Sequence, residues 1–421
     1  MPQPPIHKQQ SLNCLKTIQE AVDLHQQGRL REAERLYQAV LQVQPDDFDA
    51  LHYLGVLRAQ QGNAEAAVKL IVLALEQDPR SADAHSNLGN VFQELGHHDV
   101  AISSYDKTLA IKPDFADALC NRGKALQALN RHSEALASYD NALAIKPEHV
   151  QALNNRGNVL QDLGRLDEAI TCYDKALAIK RDYPEALYNR GNALRDLKRH
   201  AEALASYDRA LALKPDYLNA IINRGNALQD LKRHEEALAS YDRALQLKPD
   251  YAGALYNRGN ALRELKRHAE ALASYDRALA LEPDYPDALY NRGLALRDLK
   301  RHEDAAQSFS RLLELAPDYG FAACELLHTE MLCCDWKNFN LATESIKKDL
   351  QAGKKSADPF GYQAISNSPQ DLRLCAEIYA AEKFPRQQIM LWNGERYKNA
   401  RIHIGYVSGE FRQQATSFLM T

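Results

Sequence analysis

PEALYNRGNALRDLKRHAEALASYDRALALKPDY, residues 184–217, decides the fold because the chain repeats it. Residues 252–285 read AGALYNRGNALRELKRHAEALASYDRALALEPDY and differ from it at four of 34 positions. Outward from these two stretches the same 34-residue grid continues. Prolines stand at 45, 79, 113, 147, 215, 249, 283 and 317, with Arg181 in the slot that lacks one. Twenty-four residues before the slots from 79 onward are Gly55, Gly89, Gly123, Gly157, Gly191, Gly225, Gly259 and Gly293. Twelve before each slot is an alanine, from Ala33 to Ala305. Eight before is an aromatic (Tyr37, Tyr105, Tyr139, Tyr173, Tyr207, Tyr241, Tyr275, Phe309), with Ile71 the exception. Small residues let two helices approach closely. The aromatic fills the space between neighbouring helix pairs. Proline ends the second helix, since it lacks an N–H and clashes with the preceding turn. Leu187, Leu194 and Leu197 fall at i, i+7 and i+10, a helical stripe, in arms rich in alanine and leucine.

This periodicity resembles the tetratricopeptide repeat (TPR), G…A-x₃-Y…P at period 34. The resemblance implies an all-α, right-handed superhelix of helix-turn-helix units, each touching only its neighbours. About nine units fit between Cys14 and Tyr319. The expected organisation is a tail over 1–13, the superhelix over 14–319, a helical linker over 320–398 and the start of an α/β lobe over 399–421.

Composition narrows the function classes. A net charge of −4 over 421 residues gives no whole-chain attraction to nucleic acid or anionic membrane. No apolar run approaches the roughly 20 residues needed to span a bilayer, and the polar, proline-bearing Met1–Gln10 does not read as a signal peptide. The seven cysteines (14, 120, 172, 324, 333, 334, 375) fit neither a zinc ribbon nor a CxxC site. They read as free thiols of a reducing cytoplasm, with Cys333-Cys334 as ordinary buried thiols. No constellation points to a catalytic residue, a metal or a cofactor.

The candidate site is a ladder. Two residues before each glycine from the third unit on stand Asn87, Asn121, Asn155, Asn189, Asn223, Asn257 and Asn291, with Tyr53 in the second unit. Asparagine is a mediocre helix former, so its recurrence needs a reason. In a TPR the first helix of each unit lines the concave groove, and the resemblance puts this position in it. A side-chain amide carries a donor and an acceptor, so it can bind both C=O and N–H of an extended backbone. Stacked units about 10 Å apart match three extended residues. The expected partners are therefore extended or unfolded polypeptide segments, with no nucleic acid and no membrane. The alternative is an asparagine that bridges helices within the fold. Four residues earlier, on the same helical face, lie Asp83, Asp117, Gln151, Glu185, Asn219, Gly253 and Asp287. Asp83, Asp117, Glu185 and Asp287 would select basic or hydroxyl side chains; otherwise they are helix starts favoured by the dipole. Arg122 to Arg292, one after each ladder Asn from Asn121 on, and turns such as Lys198-Arg199-His200 make a basic ridge that reads chiefly as solvated surface.

Beyond the repeats, Phe321–Leu332, a segment up to Leu350, and Pro369–Lys383 read as helices, with a loop around Pro359 and Gly361. Ile402–Ser408 reads as a buried strand ending in a turn. Asn-rich repeats, then Cys334-Asp335-Trp336, then Gly405-Tyr406-Val407-Ser408-Gly409-Glu410-Phe411 and Thr416-Ser417-Phe418-Leu419-Met420, resemble the O-linked N-acetylglucosamine transferases, including the SPINDLY-type enzymes. That resemblance implies transfer of a sugar from UDP-N-acetylglucosamine to Ser or Thr hydroxyls of proteins, by lobes that follow the repeats. Gln414-Ala415 stand where animal members have His-Pro, and the family's sugar-nucleotide residues lie beyond position 421, so no catalytic residue transfers. The other reading is a non-enzymatic TPR adaptor.

Overall fold

A computed structural model describes residues 6–383, and among the described residues it holds 22 helices and no strand. The strand expected at Ile402–Ser408, and with it the α/β start over 399–421, lies outside the described residues. The 1–13 tail is helical from Ile6, because the first helix runs Ile6–Gln26.

After that helix the repeat is strictly metrical. First helices of 13 residues, from Phe48–Gln60 to Pro286–Asp298, alternate with second helices of 14 residues, from Leu30–Val43 to His302–Leu315. The chain divides into two compact units, Met1–Ala305 and Ala306–Thr421.

In the first unit the periodic residues make the core. The repeat alanines Ala33, Ala67, Ala101, Ala135, Ala169, Ala203, Ala237 and Ala271 are fully buried, as are the ring positions Tyr37, Ile71, Tyr105, Tyr139, Tyr173, Tyr207, Tyr241 and Tyr275. The glycine is needed because the ring lies against its backbone. A Cβ on Gly191 would sit 2.5 Å from Cε1 of Tyr207, and one on Gly225 would sit 2.6 Å from Cε1 of Tyr241. Any side chain there would force the rings off and part the two helices.

Early and late repeats solve local problems differently. The turn between helices is left-handed at Gly28, Gly62, Gly96 and Gly164, with φ of 73–79°. At the equivalent position Asn130 has φ 57°, and Lys198, Lys232, Lys266 and Lys300 have φ of 61–62°, a conformation costing an L-residue about 1–2 kcal/mol. At the start of the first helix, Asp47 and Ser81 accept from the N–H of Ala50 and Ala84. Later repeats carry Tyr183, Tyr217, Tyr251 and Tyr285 there, without a side-chain cap. In three of them a lysine ammonium lies over the ring instead, as Lys214 does over Tyr217 at 5.1 Å.

The second unit contains Ala322–Leu332, Phe339–Gln351, Pro359–Gln363 and Pro369–Lys383. Cys324, Leu327, Ile346, Leu350, Tyr362 and Cys375 form its core. The expected loop at Pro359 is a one-turn helix, since Pro359 fits a first helical position and Asp358 accepts from the N–H of Phe360 and Gly361. Cys334 is exposed and Cys333 partly so, against the expected burial. Cys334 has a φ of 58° just after Ala322–Leu332.

Candidate functional site

The ladder asparagines all lie on first helices, and all are half-buried. Their amides are not idle. Nδ2 of Asn121, Asn223, Asn257 and Asn291 donates to Oδ1 of Asn90, Asn192, Asn226 and Asn260 in the preceding repeat, at 2.9–3.1 Å. Asn189 donates to Asn154 at 3.1 Å, and Asn87 donates to Nε2 of His52 at 2.9 Å. Burial holds the His52 pKa below its ordinary value, so the ring is neutral and can accept. Asn223 and Asn291 also reach the hydroxyls of Tyr188 and Tyr256. Bridging between repeats is therefore one thing these residues do.

What remains differs along the ladder. Oδ1 of Asn291 accepts from Arg263 at 2.9 Å. Oδ1 of Asn223 accepts from Asn226 at 3.3 Å and from Arg195 at 3.4 Å, and that of Asn155 accepts from Asn154 at 3.2 Å. Oδ1 of Asn87, Asn121, Asn189 and Asn257 accepts from no described residue. These four carboxamides are held by one end and open at the other. Two of them border cavities on the first-helix face. Asn121, with Asn90, Gln93 and Lys124, borders one of about 410 Å³. Asn87, with Asp49, His52, Tyr53 and Asp83, borders one of about 370 Å³.

The acidic companions Asp83, Asp117, Glu185 and Asp287 are exposed. Asp117 meets Nε2 of His149 at 3.1 Å. They thus share a face with the ladder without being buried in the fold.

Sequence reading missed a second asparagine column, Asn90, Asn158, Asn192, Asn226 and Asn260. Asn90, Asn192, Asn226 and Asn260 each receive a ladder hydrogen bond, and the column accepts from core tyrosines, for example Tyr207 Oη to Asn192 at 2.8 Å and Tyr241 Oη to Asn226 at 2.7 Å. The signal was present: these residues stand one after each glycine, three after each ladder Asn. Lys124 replaces the column in the fourth repeat. There the buried Tyr139 hydroxyl has no partner within hydrogen-bond geometry.

The basic ridge is largely neutralised. Nε of Arg190 donates to Asp174 of the previous repeat at 2.7 Å, and Nη1 donates to Ser206 at 2.7 Å; Arg122, Arg224 and Arg258 repeat the staple. Arg199 grips Glu202 through Nε and Nη2. Burial pushes the thiols of Cys120 and Cys324 up to about 12, so neither is a nucleophile at neutral pH. Among the described residues no three His, Cys, Asp or Glu converge as a metal set, and no helix is long and apolar enough to cross a membrane.

Comparison with known proteins places the repeat. Models described as TPR repeat or tetratricopeptide repeat match residues 24–91, 84–119, 116–149, 157–195, 184–217, 225–265, 259–300 and 286–319. Gly405–Met420, which carries the glycosyltransferase resemblance, lies outside these ranges. No curated protein matches the chain significantly. Among solved structures, YrrB, described as a TPR protein with an unusual peptide-binding site, is 27% identical over 44% of this chain and 95% of its own, at a TM-score of 0.40. PilF of Pseudomonas aeruginosa is 25% identical over 52% of this chain and 97% of its own, at 0.46. MamA is 24% identical over 38% and 94%, at 0.37. With repeat models matched almost continuously from residue 24 to residue 319, the chain belongs to the tetratricopeptide-repeat proteins, a family suited to protein–protein interaction.

Proposed function

We propose that this protein is an adaptor that holds extended polypeptide segments along its first-helix face, in a reducing compartment that suits its free cysteines. One observation carries the reading. The side chains of Asn87, Asn121, Asn189 and Asn257 are tethered to the preceding repeat through nitrogen, and each keeps an oxygen that no described residue uses. Tethering removes the entropy that a free side chain would lose on binding. The open oxygen is an acceptor, so the complementary group is a backbone N–H. Such recognition ignores side chains and tolerates many sequences.

The test is a contrast within the ladder. Changing Asn121, Asn189 and Asn257 to Ala removes three open acceptors; each neutral hydrogen bond is worth about 0.5–1.5 kcal/mol. Affinity for an unfolded polypeptide should fall by about ten- to a thousandfold, with the variant still helical. Changing Asn223 and Asn291, whose oxygens are engaged, should cost stability more than binding. Equal binding losses in the two sets would remove the basis of the proposal.

A second reading rests on the Gly405–Met420 segment: the repeats would be the substrate-recognition arm of an O-linked N-acetylglucosamine transferase-like enzyme. Sequencing the coding DNA past the Thr421 codon tests it. A continuing frame that encodes a sugar-nucleotide lobe supports it, and a stop codon removes it.

A further inference from the structure

One cavity on the first-helix face is built unlike the rest of the ladder. It is lined by the first helices Phe48–Gln60 and Ala82–Glu94 together with Ser81 and Phe115, and measures about 370 Å³. That size falls within the roughly 300–1,000 Å³ of small-ligand pockets. Two carboxylates, Asp49 and Asp83, line it, and no lysine or arginine does. Its aromatic walls are Phe48, Tyr53 and Phe115. Burial, with the nearby Asp47 charge, raises the Asp49 pKa; the ammonium of Lys112 lies over the Phe115 ring at 4.8 Å.

Ser86 adds a hydroxyl to this lining; the residue is 6% exposed, and the hydroxyl hydrogen-bonds to no described residue. Serines of the second helices return theirs to the carbonyl four residues back, as Ser104, Ser138 and Ser206 do at 3.0 Å.

Later repeats fill the corresponding space from within. Tyr188 stands where Ser86 does on the 34-residue grid, and Tyr217 where Phe115 does. Their rings lie 5.0 Å apart, and the Tyr188 hydroxyl accepts from Asn223. Tyr256 and Tyr285 repeat the pair at 5.1 Å. The early cavity is therefore a place where the chain omits its own plug.

We infer that this cavity receives the arginine side chain of a polypeptide lying on the ladder. A guanidinium stacks on aromatic faces and forks its N–H donors to carboxylates, and one donor remains for the Ser86 hydroxyl. The inference rests on the adaptor reading above and adds a selected residue to it.

The experiment uses the full chain and two N-acetylated, C-amidated peptides of about 18 residues, long enough to cross several repeats. They consist of Ala, Ser and Gly around one central residue, arginine in one and its neutral isostere citrulline in the other; acetylation removes the competing terminal amine. Fluorescence anisotropy should show the arginine peptide binding about tenfold or more tightly, as charge-assisted and cation–π contacts allow. Ser86→Tyr, which installs the plug of the later repeats, and the double change Asp49→Asn with Asp83→Asn should each abolish that preference. The readout is the ratio of the two affinities in each variant, which should fall to about one with helicity intact. Equal binding of the two peptides by the parent, or a preference that survives both variants, overturns the pocket and leaves the ladder standing. Failure of the parent to bind either peptide overturns both.

Discussion

The second and third repeats and the sixth and eighth share one backbone metre but treat the groove-side space oppositely. Early on, Asp49, Tyr53, Asp83 and Ser86 line a cavity. Later, Tyr188 and Tyr256 occupy the equivalent place and tie the next repeat through Asn223 and Asn291. The late repeats fill that space with a ring and its hydroxyl, and the early ones, divergent in sequence, leave it open; open ladder oxygens occur in both, at Asn87 and Asn121 and at Asn189 and Asn257. Divergence from the repeat's own consensus thus marks where the chain has given up internal stability, and such departures concentrate at functional sites.

The first way to break this comparison is to attack what the two halves share. Tyr207→Ala removes a fully buried ring and should cost about 3–5 kcal/mol, the range for large aromatic truncations; Gly191→Ala, with a Cβ 2.5 Å from that ring, should cost about 1–3 kcal/mol from overpacking. Urea unfolding measures both. A neutral Gly191→Ala would mean that the ring has room to retreat.

The second prediction exchanges the halves. Tyr188→Ser should lower stability by about 1–3 kcal/mol, since it empties a partly buried aromatic site. Ser86→Tyr should hold or raise the thermal midpoint by filling one. A loss from Ser86→Tyr would show that the early cavity cannot accept the late solution.

The third concerns hydroxyls. Tyr207→Phe loses the bond to Asn192 and should cost about 0.5–1.5 kcal/mol. Tyr139→Phe should be neutral or stabilising, because that buried hydroxyl has no partner. The fourth concerns turns: Lys232→Gly relieves a left-handed lysine at φ 61° and should stabilise by about 1 kcal/mol. Equal effects of the two tyrosine changes, or a loss from Lys232→Gly, would contradict these assignments.

The smallest effect is pH-dependent and confined to the early half. Burial lowers the His52 pKa, so the unfolded chain takes up this proton first as pH falls below about 6.5. Stability from His52 is present above that pH and is lost on acidification. Helicity loss between pH 7 and 5 should shrink in His52→Gln, whose side-chain oxygen can still accept from Asn87.

The helices, turns and core were legible because each rests on a residue class at fixed spacing: Gly191 under Tyr207, Ala203 at the helix contact, Pro215 after the second helix. The ladder's position was legible for the same reason. Its chemistry was not. That Asn189 spends its nitrogen on Asn154, 35 residues back, depends on the stacking of two repeats, which no local spacing encodes. The unplugged cavity was harder still, because it is defined by what Ser86 is not, and that appears only beside Tyr188.

The central claim, recognition of backbone N–H groups by open asparagine oxygens, is tested most directly by removing those N–H groups from the ligand. Affinities are compared for the arginine peptide and the same sequence methylated at every backbone nitrogen, each against the parent chain and the Asn121, Asn189, Asn257→Ala variant. Methylation should weaken binding to the parent about tenfold or more, and the variant, already lacking the acceptors, should show little further loss. A methylated peptide that binds the parent as tightly as the unmethylated one would contradict it.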